Sequence, residues 1–415
     1  MPDHDAAQLR RLREELTSSE EPITAARIAE TVRRSGLALG SGTTQRLVKS
    51  LRDELVGLGP LQQFVDAPGV TDVLVDPEAR IWTDGAEGLR PSEVRLGGEE
   101  QVRSLARRLI AMSGGRLDEG HPCADGRIGR FRIHAVIPPV AVEGTMISVR
   151  VARESAADLQ QLARQWTAPG VWLPVVRALV RSRTNLLVSG ATGSGKTSLL
   201  AAMLSQSPPM ERIVIVEDTT EMQPDHPHTV HLQARQGNVE GAGRIGMGRL
   251  VRETLRMRPD RLIVGECRGA ELRDFLTAMN TGHQGAAGTV HANSPEAVPA
   301  RLVAMGALAE LAPQTVALQA SAALDAVVHV ERRAGRRMPV ALSAMGYRSG
   351  QLQMTPVLSV EHVLGHEDAG GELRVGSGWK DFAVRIGLSP ELVDDAAVLE
   401  DAVARPSGRA ERQGV

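Results

Sequence analysis

Lysine is nearly missing from this chain: of 48 basic residues 45 are arginine, and lysine stands only at Lys49, Lys196 and Lys380. Aromatic residues make up 2%, so the cores must be built from Leu, Val, Ile, Ala and Met. Cysteine occurs twice, at Cys123 and Cys267, which excludes a disulfide framework and a four-cysteine zinc site; both are read as small buried residues. No apolar run reaches the roughly 18 residues that span a bilayer. The opening "MPDHDAAQLRRLREEL" has no signal-peptide core, so a cytoplasmic location is expected. A formal net charge of −2 gives no general electrostatic reason to bind nucleic acid, which is not expected as a direct ligand.

A chain of 415 residues exceeds the roughly 250–300 at which single cores stop growing, so two domains plus termini are expected. Residues 1–55 read as a mobile helical extension, with helical periodicity in "AQLRRLREEL" and a break at "GLALGSGTT". Residues 56–152 mix strand-like "VTDVLVD", "RFRIHAVIPP" and "TMISVRVAR" with helical "EEQVRSLARRLIAM", the pattern of a small α/β domain. A polar linker over 153–170 ends at Pro169-Gly170. From 171 to 357 short apolar strands ("NLLVS", "RIVIVED", "DRLIVGE", "AAGTVHA", "DAVVHVE") alternate with helical stretches, which predicts a mostly parallel sheet covered on both faces. The tail, 358–415, is expected to be poorly ordered.

A chain so averse to lysine keeps one at Lys196, inside "SGATGSGKTSLL". Gly190-Ala191-Thr192-Gly193-Ser194-Gly195-Lys196-Thr197, followed by Ser198, fits the P-loop spacing, and it lies between an apolar strand and a helical run as that motif requires. The glycines let successive N–H groups turn toward a phosphate chain. A lysine ammonium is a compact point charge for the β- and γ-phosphates where a guanidinium is bulkier and forked. The Thr197 hydroxyl suits Mg²⁺.

Two later strands end in carboxylates. "RIVIVEDTTEM" delivers Glu217, Asp218 and Glu221, and "DRLIVGECRG" delivers Glu266. Ligands of such sheets bind beyond the carboxyl ends of the strands, where one carboxylate can hold the metal and another can orient or deprotonate the attacking water. The glycine-rich "NTGHQGAAGTVHANS" adds His283 and His291, neutral imidazoles able to read a γ-phosphate or a neighbouring carboxylate.

The ordered set "GATGSGKT", "IVEDTTEM", "LRMRPDRLIVGECRG" and "MNTGHQGAAGTVHANS" resembles the Walker A, Asp box, Walker B and His box of the type II/IV secretion traffic ATPases, and within them the tight-adherence (Tad, CpaF-like) pilus-assembly branch. The likeness runs from about 57 to 333. It implies a hexameric ATPase, with a small N-terminal α/β domain and a RecA-like P-loop domain, that works with ATP and Mg²⁺ on pilus or secretion platform proteins at the inner face of the cell membrane. By the same resemblance Lys196 and Thr197 belong to Walker A and Glu266 to Walker B, Glu217 and Asp218 are metal-site residues, and Glu221 is the water-activating residue. His283 and His291 form the catalytic His-box pair, and the N-terminal domain contributes Arg132 and Arg150 to catalysis and Arg127 to nucleotide binding. Two other readings are a nucleic-acid motor of conjugal transfer, which single-stranded DNA would stimulate, and a nucleotide-binding scaffold with little hydrolysis, which a phosphate-release assay would expose.

Overall fold

The computed structural model describes residues 24–35, 51–85, 88–151, 158–235, 243–362 and 371–394, with a few further positions between 12 and 49. The chain divides into two compact units, Met1–Arg153 and Glu154–Val415. Among the described residues no helix is long and apolar enough to cross a membrane.

In the first unit, helix α1 (Ala25–Arg34) opens on Thr24, whose hydroxyl accepts from the Arg27 N–H. It buries Ile28 and Val32 together with Leu12, Leu16 and Leu51. Most of the extension expected over 1–55, including much of "AQLRRLREEL", lies outside the described residues. Six strands follow: β1 (Val70–Val75), β2 (Arg80–Gly85), β3 (Arg90–Arg95), β4 (Cys123–Ile128), β5 (Phe131–Val136) and β6 (Met146–Val151). They form one antiparallel sheet in the order β3-β2-β1-β6-β5-β4.

Helix α2 (Glu99–Met112) covers one face of that sheet. Val73, Ile133, Ala135, Ile147 and Val149 are buried with Val102, Leu105, Leu109 and Ile110 of the helix. Successive side chains alternate across a strand, so the intervening residues face away from α2. Register then places Asp72 opposite Arg150, Arg150 opposite Arg132, and Arg132 opposite Arg127. Residues paired in this way share a face, so three arginines and one aspartate form a transverse row on the uncovered side. Cys123, expected to be buried, is exposed, because it opens β4 at the edge of the sheet.

The second unit is a nine-stranded sheet. Its strands are β7 (Leu186–Gly190), β8 (Ile213–Glu217), β9 (Thr229–Gln233), β10 (Arg261–Cys267), β11 (Ala287–His291), β12 (Ala326–Arg333), β13 (Arg336–Arg348), β14 (Gln351–His362) and β15 (Gly371–Val375). The order is β15-β14-β13-β12-β7-β11-β10-β8-β9. The six strands from β12 to β9 are parallel and the other three are added antiparallel.

Both faces are covered, as the runs of continuous apolar strand require. Leu186 and Val188 of β7 join a core with α3 (Leu159–Ala163), α4 (Pro169–Arg181) and α5 (Lys196–Leu204). Leu187, between them, joins a second core with α6 (Met247–Thr254), α7 (Glu271–Asn280), α8 (Val298–Leu308) and α9 (Pro313–Ala323).

Two expectations are corrected here. The linker of 153–170 is not a linker throughout: Leu159, Ala163, Trp166 and Ala168 are buried in the first of these cores, while 152–157 lie outside the described residues. The tail after 358 is not a poorly ordered appendage either, since β14 continues to His362, β15 pairs with it, and helix α10 (Trp379–Arg385) follows. Trp379 is 2% exposed in the same core and donates its indole N–H to the Pro390 carbonyl at 2.7 Å. Burying a large apolar side chain so completely stabilises by roughly 1.5–3 kcal/mol. Residues 363–370 and 395–415 lie outside the described residues.

Candidate active site

Strand β7 is buried along its whole length. It ends in the loop Gly190-Ala191-Thr192-Gly193-Ser194-Gly195, and α5 begins at Lys196. At Gly190, φ is +153° and a Cβ would come within 2.3 Å of the Val330 carbonyl oxygen, so no other residue fits. Gly193 and Gly195 adopt φ of +73° and +99°, the left-handed region that favours glycine. Ala191, Thr192 and Gly193 form the exposed rim, Ser194 and Lys196 are buried, and Thr197 and Ser198 stand half-buried in the first turn of the helix. A helix beginning here turns its unsatisfied N–H groups and positive dipole end toward the loop.

The Lys196 ammonium donates to the Gly190 carbonyl at 3.0 Å and the Ala191 carbonyl at 2.8 Å, and lies 3.4 Å from His291 Nδ1. His291 Nε2 is 3.0 Å from Glu266 Oε1, and the Arg268 guanidinium is 2.6 Å from Glu266 Oε2. An ammonium only donates and a carboxylate only accepts, so Nδ1 takes the acceptor role and Nε2 carries the proton. The sheet order brings this chain of four side chains together. β7, β11 and β10 are neighbours, and His291 pairs in register with Gly190.

Electrostatics hold the network in one protonation state. Burial, reinforced by the Lys196 charge, pushes the His291 pKa below its ordinary value, so the ring is neutral at pH 7. Burial also lowers the Lys196 pKa, against the opposing pull of Glu266. For Glu266 burial works to raise the pKa, but the hydrogen bond and charge of Arg268, with His291 and Lys196, outweigh it and hold the carboxyl below its usual value. The site is therefore a lysine cation and a glutamate anion joined by a neutral histidine.

The other predicted residues divide. Glu217, expected as a metal ligand, is 4% exposed; its Oε1 accepts from the N–H groups of Glu221 at 3.1 Å and Met222 at 3.0 Å, and His231 Nδ1 stands 4.0 Å from Oε2. Its Cγ lies so close over Gly265 that a Cβ there would meet it at 2.4 Å. Glu217 thus shapes the loop that presents Asp218 and Glu221. Asp218 and Glu221 are exposed. The Arg268 pKa is raised first by its hydrogen bond to Glu266 and further by the charges of Asp218 and Glu221, so this arginine ties the two acidic strand ends together.

His283 is not brought to the P-loop. It sits in the turn before β11, its Nδ1 3.0 Å from the Ala278 carbonyl, so the whole strand separates it from His291. Arg127, Arg132 and Arg150 belong to the row in the first unit, where Arg150 Nε donates to Asp72 Oδ1 at 3.0 Å and Arg132 lies 3.8 Å from Asp125.

Sequence reading missed Arg268, whose signal was its position two residues beyond Glu266 in "GECRG". It also missed Arg337 of β13, which donates Nε–H to the Gly193 carbonyl at 3.1 Å. Of the cysteines, Cys267 is buried, and burial pushes its thiol pKa far up; it is inert packing.

The residues fit a nucleotide. Ser194 Oγ is buried with no hydrogen-bond partner among the described residues, an atom that a phosphate oxygen can satisfy. The Lys196 ammonium rests on carbonyls of its own loop, acceptors that phosphate oxygens can replace. Among the described residues no group of three or more His, Cys, Asp or Glu side chains is placed to hold a metal ion.

A glycine loop at a parallel strand end, a buried lysine and a strand-end glutamate two strands away define a P-loop nucleotide-binding centre. The family model described as "Type II/IV secretion system protein" matches residues 54–342, and the chain belongs to that family and is one of its ATPases. It is similar to a Mycobacterium tuberculosis "putative conjugal transfer protein", 46% identical over 327 residues, which are 77% of this chain and 93% of that protein. It is also similar to the "conjugal transfer protein TrbB" of Rhizobium radiobacter, 30% identical over 76% of this chain and 96% of the other. Among solved structures, the Legionella pneumophila ATPase DotB aligns with 17% identity and a TM-score of 0.49, over 70% of this chain and 80% of that one.

Proposed function

We propose that the chain is the ring-forming motor of a pilus-assembly or type IV-like secretion machine, hydrolysing ATP with Mg²⁺ on the inner face of the cell membrane and passing force to platform proteins there. The observation that carries the reading is the Lys196–His291–Glu266–Arg268 network. It joins the phosphate-binding loop to the acidic strand ends through one hydrogen-bonded line, so a change at the terminal phosphate is felt at Glu266 and at the loop of Asp218 and Glu221.

In this mechanism the loop amides and Lys196 hold the β- and γ-phosphates. Thr197 and Glu266, with Asp218 beside them, would hold Mg²⁺, which would neutralise charge developing on the transferred phosphoryl group. His291, neutral, keeps Glu266 and Lys196 at a fixed separation. Glu221, exposed and within the field of Arg268, orients the attacking water. The row of Arg127, Arg132 and Arg150 is assigned to the nucleotide by the family resemblance. Membership in the family supports the platform partners and the ring.

The test is phosphate release with ATP and Mg²⁺ together with light scattering. ATP turnover by a species of six copies supports the motor; nucleotide binding without turnover supports the scaffold reading, and a strict monomer under every nucleotide condition counts against a ring. A second reading, a motor of conjugal DNA transfer, is favoured by the name of the M. tuberculosis relative. Stimulation of turnover by single-stranded DNA selects it.

A further inference from the structure

Two of the three P-loop glycines are confined by a neighbouring element rather than by space for a phosphate. A Cβ on Gly190 would lie 2.3 Å from the Val330 carbonyl of β12, and one on Gly195 would lie 3.0 Å from Cδ and 3.3 Å from Cβ of Arg337 on β13. Gly193 and Gly195 are also where the loop takes its left-handed turns, and Arg337 Nε–H holds the carbonyl of the first of them at 3.1 Å.

β12 and β13 are joined by the turn Ala334-Gly335, both with positive φ, as a two-residue hairpin demands. The register sets Arg332 opposite Arg337 and Arg333 opposite Arg336. Like charges facing each other weaken a hairpin, and Glu331 compensates Arg333 at 2.8 Å. Arg332 and Arg336 are exposed, whereas Arg337 is half-buried with its stem over the loop.

We propose that the β12–β13 hairpin is the outer wall of the P-loop and that Arg337 is a positioning residue for nucleotide binding. By holding the Gly193 carbonyl on the hairpin side, it keeps the loop in the curve that aims its N–H groups at a phosphate. The ordering energy of the loop is then met by the fold before ligand arrives, which tightens binding without entering the chemical step. The proposal rests on the nucleotide reading of the P-loop.

Calorimetric titration of the full chain with ADP and Mg²⁺, with steady-state ATP hydrolysis alongside, tests it. Arg337→Ala should raise the ADP dissociation constant and the ATP KM about tenfold, the scale of one hydrogen bond from a charged donor, and leave kcat within about twofold. Arg336→Ala removes the same charge one residue away and should bind within about twofold of wild type. Arg337→Lys keeps the charge but moves the donor one bond beyond Nε, and should not restore affinity. If Arg337→Ala melts well below wild type, Arg337→Lys carries the comparison.

Wild-type affinity in both Arg337 variants overturns the proposal while Lys196→Ala, losing binding, leaves the P-loop standing. Equal losses in the Arg336 and Arg337 variants reduce the effect to a general positive field and also overturn it. Unchanged binding in Lys196→Ala removes the nucleotide site and this proposal with it.

Discussion

The two units handle positive charge in opposite ways. In the second, the lysine of the loop is enclosed: Lys196 is buried against carbonyls and a neutral histidine, while Arg268, exposed to solvent, is clamped on Glu266. In the first, Arg127, Arg132 and Arg150 stand side by side on an uncovered sheet face, with Asp72 at the end of the row. An enclosed network has one arrangement and is suited to binding and orienting. The arginine row, on an open sheet face, stands where an anion can approach it. On the proposed reading binding and sensing rest on different residues, and each half can be broken without the other.

The strongest break is Lys196→Ala, which should weaken ATP binding by about 100-fold or more, since it removes the enclosed cation from the phosphates; calorimetric titration reads it, and wild-type affinity would sink the P-loop reading. Next, Glu266→Gln preserves shape but removes the charge that Arg268 and His291 hold. It should bind ATP within about threefold of wild type and lose about 10²–10³-fold in kcat. Normal turnover in that variant would take Glu266 out of the chemistry.

Arg150→Ala addresses the other unit. Binding through the intact loop should be retained, while ATPase activity falls about tenfold or more and ATP-dependent compaction in small-angle scattering disappears. If both persist, the arginine row is only a solvated face and the comparison between the units loses its functional half.

The smallest effect is in pH. Because the folded pKa of His291 is depressed, the neutral ring persists below the ordinary histidine value of about 6.5. Between the folded and unfolded pKa values the unfolded chain binds more protons, so stability contributed by His291, and by His329, whose pKa burial also lowers, is complete above about 6.5 and declines as pH falls below it. ATPase activity should therefore change less than about threefold from pH 8 to 6.5 and drop on further acidification, with the drop shifted in His291→Gln; a steep loss near pH 7 would contradict the neutral assignment.

How much of this was legible in the sequence follows from periodicity. Strands β7, β8, β10, β11 and β12 stand out because strands buried on both faces read as unbroken apolar runs. β3, "RPSEVR", is exposed at nearly every position and carries Pro91 at a sheet edge, so nothing in it alternates. β13 and β14 are interrupted by Pro339 and Pro356, which demote a run from strand. Trp379 was the overlooked signal in the tail, since in a chain with 2% aromatics a tryptophan marks a core. At the site, the residues named by spacing, Lys196, Thr197, Glu266 and His291, come together. His283 is not brought to the loop and Glu217 turns back into the fold, because residue type and order do not tell which end of a strand a turn occupies or whether a strand-end carboxylate points to solvent. Arg268 is marked only by its place two residues beyond Glu266, and Arg337 reaches Gly193 through a contact that no local pattern encodes.

The packing of Glu217 against Gly265 has a consequence for inheritance. The two positions lie on adjacent parallel strands, and the glutamate side chain occupies the volume that any side chain at 265 would need. Neither can drift alone: Gly265→Ala should be lethal to the fold of this loop in the presence of Glu217 and tolerated beside Glu217→Ser. Across descendants of a common ancestor the pair should change together, so that a larger residue at 265 is found only where 217 has become small. A double-mutant cycle measuring melting temperature checks the coupling directly.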